Sequence, residues 1–523
     1  MKPTSARLQA ALPWLVVGLV IATAGRVAWV CDDAYITFRT IDHWQLGYGP
    51  VWNPAERVQA FTHPLWMMLL AGISALTGEL YFTAIATGLT LSTLALVALV
   101  RSPGAVLLWP ALLALGASKA WTEFCTSGLE NSLSYALVAF VAAALSRPTL
   151  GSVGVVLTAL ALGLLPLSRP DLALIALPAA LVLVASAWSR RALLAATLAA
   201  GLLPGLAWTT FSTIYYGSPL PNTALAKLGH AEGAQSLKQG IAYFASSWQL
   251  DPALLPTTFI GLAVGLVAFR KRPGLAALCL GAVAYLAYVL SIGGDFMSGR
   301  FFSVPLLIAV SVLTTSSEVQ PSTARRGLAW TVGGLALVLS LTSDASPLRT
   351  PSDFHVPDWD DNGIADERGW YYPHLGLVPL LNEQRDPPKP GRERRRGEGR
   401  VRMGKAIGMD GYMAGPHVHL VDAYALCDPL LARIPSDEEL GRPGHWIRPV
   451  PRGYLETLKS GRNQLVDPEV RSLWEDVHLA TRAPIDAPGR AAAIVRLAVA
   501  GRTAPIVGVQ PMDRPPRTEV HEQ

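Results

Sequence analysis

Two adjacent carboxylates stand where the first long apolar run of the sequence ends. Asp32 and Asp33 directly follow residues 10–30, where the chain is expected to leave a membrane. One aspartate is enough to cap the helix predicted for the following run AYITFRTIDHW. The second carboxylate costs free energy beside a bilayer, which favours a functional role for it. It could take a proton from an attacking hydroxyl, or help to hold a divalent cation such as Mg²⁺ or Ca²⁺.

Four basic side chains lie in, or at the edge of, loops that the charge pattern places on the same, outer face of the membrane. They are Arg39, Arg169, Lys227 and Arg300. Positive charge outside runs against the usual orientation bias. A phosphate leaving group would explain it, because Arg and Lys neutralise such a group in the transition state. For Arg169 and Arg300 the alternative is an ion pair with a nearby acid, Asp171 or Asp295.

Two further groups of residues are weaker indications of a functional site. Glu130 lies in the run WTEFCTSGLEN and could simply cap the helix that follows. His417 and His419 would lie on one face of a strand, but no third ligand is evident. We therefore predict no metal site there, and no cofactor beyond the divalent cation considered above.

The composition indicates that these residues are held by a membrane protein. Of the 523 residues, 51% are hydrophobic and only 15% are charged, whereas soluble domains carry about 25% charged residues. The net charge of +5 comes from short basic clusters between apolar runs, which is typical of orientation signals rather than of nucleic-acid binding. The four cysteines have no metal-site spacing, and unpaired thiols are favoured over a disulfide framework.

Apolar runs predict about eleven transmembrane helices, several of them short. The predicted spans are 10–30, 82–100, 104–120, 131–147, 149–167, 172–189, 191–213, 255–270, 274–292, 300–317 and 327–342.

Arginine-rich loops set the predicted orientation. The clusters at 190–191, 270–272 and 325–326 should face the cytoplasm. The N-terminus is then cytoplasmic and everything after residue 342 lies outside. This arrangement works only if the apolar stretch 64–78 does not cross, so we expect a helix at the outer interface, with a short span as the alternative.

The chain is expected to divide into a membrane domain, 1–342, and a soluble extracytoplasmic domain, 343–523, of mixed α/β structure. Residues 384–400 are rich in Pro, Gly and Arg and predict a solvated loop. Residues 418–422 predict a strand, and 491–500 predict a short helix or strand.

Several motifs, taken in order, resemble those of the GT-C superfamily of membrane glycosyltransferases. Within it the sequence is most similar to the terminal arabinofuranosyltransferases of mycobacterial cell walls and their bacterial homologues. The motifs are DDAYITFR, GYGPVWNPAERVQAFTHPLW, TSGLENSL, SRPD, YYGSPLPNTALAK and GGDFMSGRF, followed by GYMAGPHVHLVDAYALCDPLLARIP and RPGHWIRPVPRGYLET. The resemblance covers both predicted domains.

This resemblance implies a polyprenyl-phosphate arabinofuranose donor, a cell-envelope glycan acceptor, and a place in the bacterial plasma membrane. It implies that Asp32 or Asp33 is the essential carboxylate and that the soluble domain helps to bind the acceptor. Within the matching motifs we expect further substrate contacts. They are Asn53, His63, Glu130, Tyr215, Asn222 and Asp295.

Rival functions remain open from sequence. The same donor type could deliver another pentose or a hexose to a glycan or a protein. A lipid-linked sugar transporter or flippase should show inverted repeats or charges within spans, and neither is evident. A membrane-anchored glycan-binding protein would not explain so many spans.

Overall fold

The computed structural model describes residues 3–227, 234–315, 320–351, 354–356, 360–393, 400–405, 407–436, 441–442 and 444–499. Most of the basic segment within the predicted loop 384–400 lies outside these residues. The described chain is mainly helical and forms two compact units. The first unit contains residues 1–34, 62–208 and 231–388, and the second contains 35–61, 209–230 and 389–523.

The first unit is a helical bundle. Its helices are α1 (Pro3–Arg26), α3 (Pro64–Thr77), α4 (Tyr81–Val100), α5 (Ala105–Leu108), α6 (Leu113–Ala117), α7 (Lys119–Phe124), α8 (Asn131–Leu145), α9 (Ser152–Ser168), α10 (Ala173–Ala187), α13 (Ala234–Leu250), α14 (Leu254–Val267), α15 (Pro273–Ser291), α16 (Ser303–Thr314), α17 (Thr323–Ser340), α18 (Glu367–Leu375) and α19 (Leu377–Asn382). Short 3₁₀ turns cover Trp109–Leu112, Pro170–Leu172 and Arg300–Phe302. Helices α2 (Asp32–Gln45) and α11 (Arg191–Tyr216) each continue from the first unit into the second.

Within the described residues, five helical segments are long and apolar enough to cross a membrane. They are Gln9–Arg26, Tyr81–Val100, Pro170–Ala187, Arg191–Tyr216 and Pro273–Ser291. A sixth crossing is possible if α13 and α14, which meet at a bend of 107°, form one broken span. A helix lies at each of the predicted apolar segments, but the number that cross stays a prediction. The stretch 64–78 forms the short apolar helix α3, whose predicted place at the interface is likewise untested.

Small residues let the helices of the first unit approach closely. A Cβ atom added at Gly163 would come within 2.2 Å of the Gly201 carbonyl oxygen, so α9 and α11 meet backbone to backbone. Gly281 on α15 packs in the same way against Ile175 on α10. Such contacts are typical of helices that associate without a strong hydrophobic driving force.

Helix α16 lies at the centre of the first unit. Every residue from Ser303 to Thr314 is buried, as expected for a helix that is apolar all round. The 3₁₀ turn that begins at Arg300 leads directly into α16. The interior of the bundle therefore fixes the position of that turn.

The second unit contains the strands and the remaining helices. These are α12 (Asn222–Lys227), α20 (Gly408–Ala414), α21 (Tyr454–Ser460), α22 (Pro468–Thr481), α23 (Arg490–Val499), β1 (Val401–Gly404), β2 (His419–Asp422), β3 (Gly441–Arg442), β4 (His445–Trp446) and the 3₁₀ turn Leu431–Arg433. Strands β1 and β2 pair in parallel, with Val401 opposite His419, and β3 pairs antiparallel with β4. The strand predicted at 418–422 is confirmed as β2, and the segment predicted at 491–500 is a helix, α23.

Two features of the fold are not apparent from the sequence. Residues 343–388 belong to the first compact unit, whereas 35–61 and 209–230, which lie mostly between predicted spans, belong to the second. The predicted division into a membrane domain and a soluble domain at 342/343 itself stays untested. Between the predicted spans 191–213 and 255–270, the described residues form α12 and α13. The sequence did not indicate α13, because a helix with only one apolar face lacks the continuous apolar run that marks a span.

Candidate functional site

Glu130 is the centre of a buried charge cluster in the first unit. Its carboxylate is fully buried and accepts hydrogen bonds from Arg300 Nη2, at 3.1 Å to Oε1 and 3.4 Å to Oε2. His63 Nδ1 lies 3.1 Å from Oε2, and Arg169 Nε lies 3.7 Å from Oε1. Burial raises the pKa of Glu130, but Arg300 and the His63 contact outweigh it, so that this pKa lies below its usual range. Glu130 is therefore ionised at neutral pH.

Each arginine of this cluster also pairs with a second acid. Arg169 forms a two-pronged contact with Asp171, and its Nη2 also donates to the Tyr285 hydroxyl at 2.7 Å. Arg300 Nη1 lies 3.6 Å from Asp295 Oδ2. The ion pairs considered as the alternative for these two arginines are thus present, together with the shared contact to Glu130.

The arginines keep unused hydrogen-bonding capacity. Among the residues that the structure describes, neither Arg169 Nη1 nor Arg300 Nε has a hydrogen-bond partner, although both atoms are buried. Buried polar atoms in native proteins nearly always have a partner. Each arginine of the cluster thus keeps one buried donor without a partner among the described residues.

A glycine fixes the turn that presents Arg300. Gly299 has φ of +77°, in the left-handed region that favours glycine. A Cβ atom at this position would also lie 2.9 Å from the Ala120 Cβ. The run GGDFMSGRF therefore needs glycine at residue 299 to turn into the helix that Arg300 begins.

The helix predicted for AYITFRTIDHW begins two residues earlier than expected, at Asp32, so that both aspartates lie in the first turn of α2, and both are half-buried. Asp33 and Arg300 attract each other electrostatically. Both residues also act on the Cys31 thiol. Burial raises the pKa of this thiol well above its usual value; the Asp33 charge raises this pKa further, whereas the Arg300 charge lowers it. The structure thus brings Asp33 into the electrostatic neighbourhood of the arginine cluster.

The segment before the two aspartates is held by the loop that carries Glu130. Cys31 N–H donates to the Ser127 carbonyl at 3.0 Å, and Trp29 N–H donates to Thr126 Oγ1 at 3.3 Å. The Trp66 indole donates to the Gly128 carbonyl at 2.8 Å. The run TSGLE therefore positions both the aspartate pair and the Glu130 cluster.

Sequence reasoning missed a second buried network in the first unit. Lys119 pairs with Glu123 and, at 2.8 Å, with Asp366, while Arg368 pairs with Glu123. The Glu123 carbonyl accepts the Trp29 indole at 3.1 Å, so the network also supports the chain just before Asp32. The four-residue spacing of Lys119 and Glu123 on one helix was a signal for their pair. No local pattern could have indicated that Asp366 and Arg368 join them.

The other predicted site residues lie in the second unit. Arg39 is buried, stacks on Trp52 at 4.8 Å, and donates to the carbonyls of Trp52, Gly415 and Val418 at 2.9 to 3.0 Å. Lys227 is exposed at the end of α12 and lies beside Gly444. Their predicted role in phosphate binding stays a prediction.

The predicted polar contacts of the second unit organise its backbone. Asn53 donates to Glu56 Oε1 and to the Leu420 carbonyl, both at 3.0 Å. Asn222 donates to three carbonyls between residues 425 and 428 at 2.9 to 3.1 Å. The Tyr215 carbonyl accepts from Arg57 at 3.0 Å. These side chains hold loops in place, and any contact with a substrate is untested.

No group of three or more His, Cys, Asp or Glu side chains is arranged to hold a metal ion within the described part of the chain. All four cysteines are buried, and no disulfide joins them.

Two curated proteins resemble the chain. The terminal beta-(1->2)-arabinofuranosyltransferase of Mycobacterium tuberculosis is 30% identical over 404 residues, which cover 66% of this chain and 62% of that protein. The protein of the same name from Corynebacterium glutamicum is 30% identical over 339 residues, which cover 54% of this chain and 48% of that protein. The chain thus spans about half to three fifths of these relatives. No protein-family model and no solved structure matches it. The similarity to terminal arabinofuranosyltransferases that the motifs indicate is confirmed.

Proposed function

We propose that the protein is a membrane glycosyltransferase that transfers arabinofuranose from a polyprenyl-phosphate donor to a cell-envelope glycan. The observation that carries this proposal is the cluster around Glu130. Arg169, which is buried, and Arg300, which is largely buried, each have a buried donor without a partner among the described residues. Arg300 and Asp33 attract each other electrostatically, and the chain is similar to terminal arabinofuranosyltransferases. An anionic leaving group and a carboxylate base are what such a transfer needs.

The proposed reaction forms a bond from an acceptor hydroxyl oxygen to the anomeric carbon and breaks the bond from that carbon to the phosphate oxygen. Asp33, or Asp32, takes the hydroxyl proton. Arg300 and Arg169 stabilise the charge that develops on the departing polyprenyl phosphate. If the anomeric configuration is retained, the same carboxylate acts instead as a nucleophile or stabilises the oxocarbenium ion.

The proposal places the site at the outer face of a bacterial plasma membrane. The lipid tail of the donor then stays in the bilayer while its phosphate reaches the arginines. Residues 343–523 would lie outside the cell and take part in binding the glycan acceptor. Lys227 and Arg39 are proposed as further contacts to the donor phosphate.

Substitution of the aspartates tests the assignment. The purified protein in nanodiscs is given a synthetic polyprenyl-phosphoryl arabinofuranose and an arabinan oligosaccharide, and sugar transfer is measured by mass spectrometry. We expect Asp33→Asn or Asp32→Asn to lower kcat by at least about 100-fold, the lower range for loss of general-base catalysis. Asp344→Asn, an exposed aspartate of the same unit, is the matched control. Full activity in both aspartate variants would discard the assignment, and no transfer by the wild-type protein would discard the proposed function.

A further inference from the structure

Helix α13 turns an apolar face outward. Leu237, Ile241 and Trp248 are 46%, 58% and 47% exposed. They lie four and seven residues apart, so they form one stripe along the helix. Lys238 is the single charged residue of α13. A helix on the surface of a soluble protein would turn such a stripe towards the core.

The opposite face of α13 carries small residues, hydroxyl groups and the Tyr243 ring, and it faces the protein interior. Ser236, Gly240, Tyr243 and Ser247 are buried along it. A Cβ atom at Gly240 would lie 2.1 Å from the Leu290 carbonyl oxygen, so α13 packs directly on the backbone of α15. Polar residues inside and apolar residues outside are typical of a helix in contact with lipid.

The bend after α13 indicates how the helix is oriented. Helices α13 and α14 meet at 107°. Helix α14 also turns apolar side chains outward, with Phe259 50% exposed, and a basic cluster at 270–272 follows it. If α14 runs across the bilayer, α13 lies close to the membrane plane. The apolar stripe of α13 then continues the lipid-facing surface of α14.

The buried face of α13 holds the turn that carries Arg300. The Tyr243 hydroxyl donates to the Met297 carbonyl at 3.0 Å and accepts from Phe301 N–H at 3.2 Å. Ser247 Oγ accepts from Gly299 N–H at 3.2 Å. These bonds fix the backbone on both sides of Arg300.

We infer that α13 lies along the membrane surface with its apolar stripe in lipid, and that from this position it holds the Arg300 turn in shape for an anionic substrate. Tyr243 is then a positioning residue, because its hydroxyl acts on the substrate only through that turn. The second half of this inference rests on the proposed function, in which Arg300 contacts the donor phosphate. The acyl region of the bilayer is the partner that contacts the apolar stripe.

Spin labels test the membrane contact. A nitroxide is attached at one of three single cysteines, Leu237→Cys, Ile241→Cys or Trp248→Cys, in protein held in nanodiscs. The accessibility of each label to oxygen and to a nickel chelate then gives its depth in the bilayer. The native cysteines are buried, so they react little. We expect all three labels in lipid at similar depths, with water-like accessibility at a label on exposed Arg462→Cys. Water-like values along the stripe, or depths of residues 237 and 248 that differ by about 16 Å as in a crossing helix, would overturn the inference.

Tyr243→Phe tests the positioning role, because it removes one hydroxyl and keeps the ring. Binding of a polyprenyl phosphate is measured by thermophoresis, and donor KM and kcat by the transfer assay. We expect Kd and KM to rise about tenfold while kcat changes less than threefold. The matched control is Tyr81→Phe, which removes a buried hydroxyl donating to the Leu375 carbonyl at 2.9 Å.

Ser247→Ala removes the neighbouring bond to Gly299 and should act in the same direction, so the test does not depend on one variant folding. Binding by Tyr243→Phe and Ser247→Ala equal to that of the Tyr81→Phe control would overturn the positioning role. A wild-type protein that binds no polyprenyl phosphate would overturn the proposed function, and with it this half of the inference. The lipid contact of α13 is decided separately by the spin labels.

Discussion

At the residue scale, Glu130 offers a charge-specific test of the cluster. Burial alone would raise the pKa of Glu130, but Arg300 and His63 hold it below the usual range. A group with a lowered folded-state pKa stabilises the protein above its unfolded pKa, about 4.3 for glutamate. This contribution is lost as pH falls through the folded-state value.

We therefore expect Glu130→Gln to lower the free energy of unfolding by about 3–5 kcal/mol at pH 7, because a buried ion pair loses one partner. The difference from wild type should shrink as pH falls below about 4. Thermal denaturation in detergent from pH 7 to pH 3.5 measures both effects. Glu383→Gln, in an exposed ion pair with Arg385, is the control. A difference between Glu130→Gln and wild type that stays constant with pH would contradict the assigned charge state.

Several residues of the cluster were identifiable one by one from sequence. Arg169 and Arg300 are positive charges in, or at the edge of, predicted outer loops, and each has an acid nearby in sequence. That both converge on Glu130 could not be foreseen, because Glu130 was equally consistent with a helix cap. The contact depends on the packing of α8 and α16, which no local pattern encodes.

At the element scale, the network on α7 and at the start of α18 can be tested by charge balance. In the native network two cations, Lys119 and Arg368, balance two carboxylates, Glu123 and Asp366. Lys119→Met removes one of the two cations, so one buried negative charge is uncompensated. We expect a loss of about 3–5 kcal/mol in the free energy of unfolding. Adding Asp366→Asn restores the balance, and Asn can still cap α18 in place of Asp366, which accepts from Gly369 N–H. The double variant should therefore be more stable than Lys119→Met, as measured by thermal denaturation in detergent. If the loss of stability in the double variant equals the sum of the losses in the two single variants, Lys119 and Asp366 do not interact energetically.

Sequence patterns predicted the apolar helices well and the partly apolar ones poorly. A continuous apolar run can be satisfied only by a helix in a bilayer, so segments such as 82–100 and 274–292 fall on α4 and α15. Helix α13 exposes a single apolar stripe, and it was not among the helices predicted from the sequence. Its bend against α14 depends on packing, and no residue pattern gave it.

At the scale of the whole molecule, the second unit is assembled from three separate chain segments. The sequence suggested a boundary after residue 342, because hydrophobicity stops there. It could not show that 35–61 and 209–230 fold with the C-terminal part, since contacts over hundreds of residues leave no local signature. Asn222, for example, reaches the carbonyls of residues 425–428.

The orientation of the chain is the prediction on which the proposed function depends most at this scale. Basic clusters such as 190–191 are expected inside, and residues after 342 outside. A membrane-impermeant maleimide applied to intact cells should therefore label Arg462→Cys. It should label Ser189→Cys only after permeabilisation. Both positions are exposed, and the four native cysteines are buried, which keeps the background low.

Labelling of Ser189→Cys but not Arg462→Cys in intact cells would put Asp32 and Asp33 on the cytoplasmic side. Transfer to an external glycan would then be impossible, however well the arginine cluster bound a phosphate.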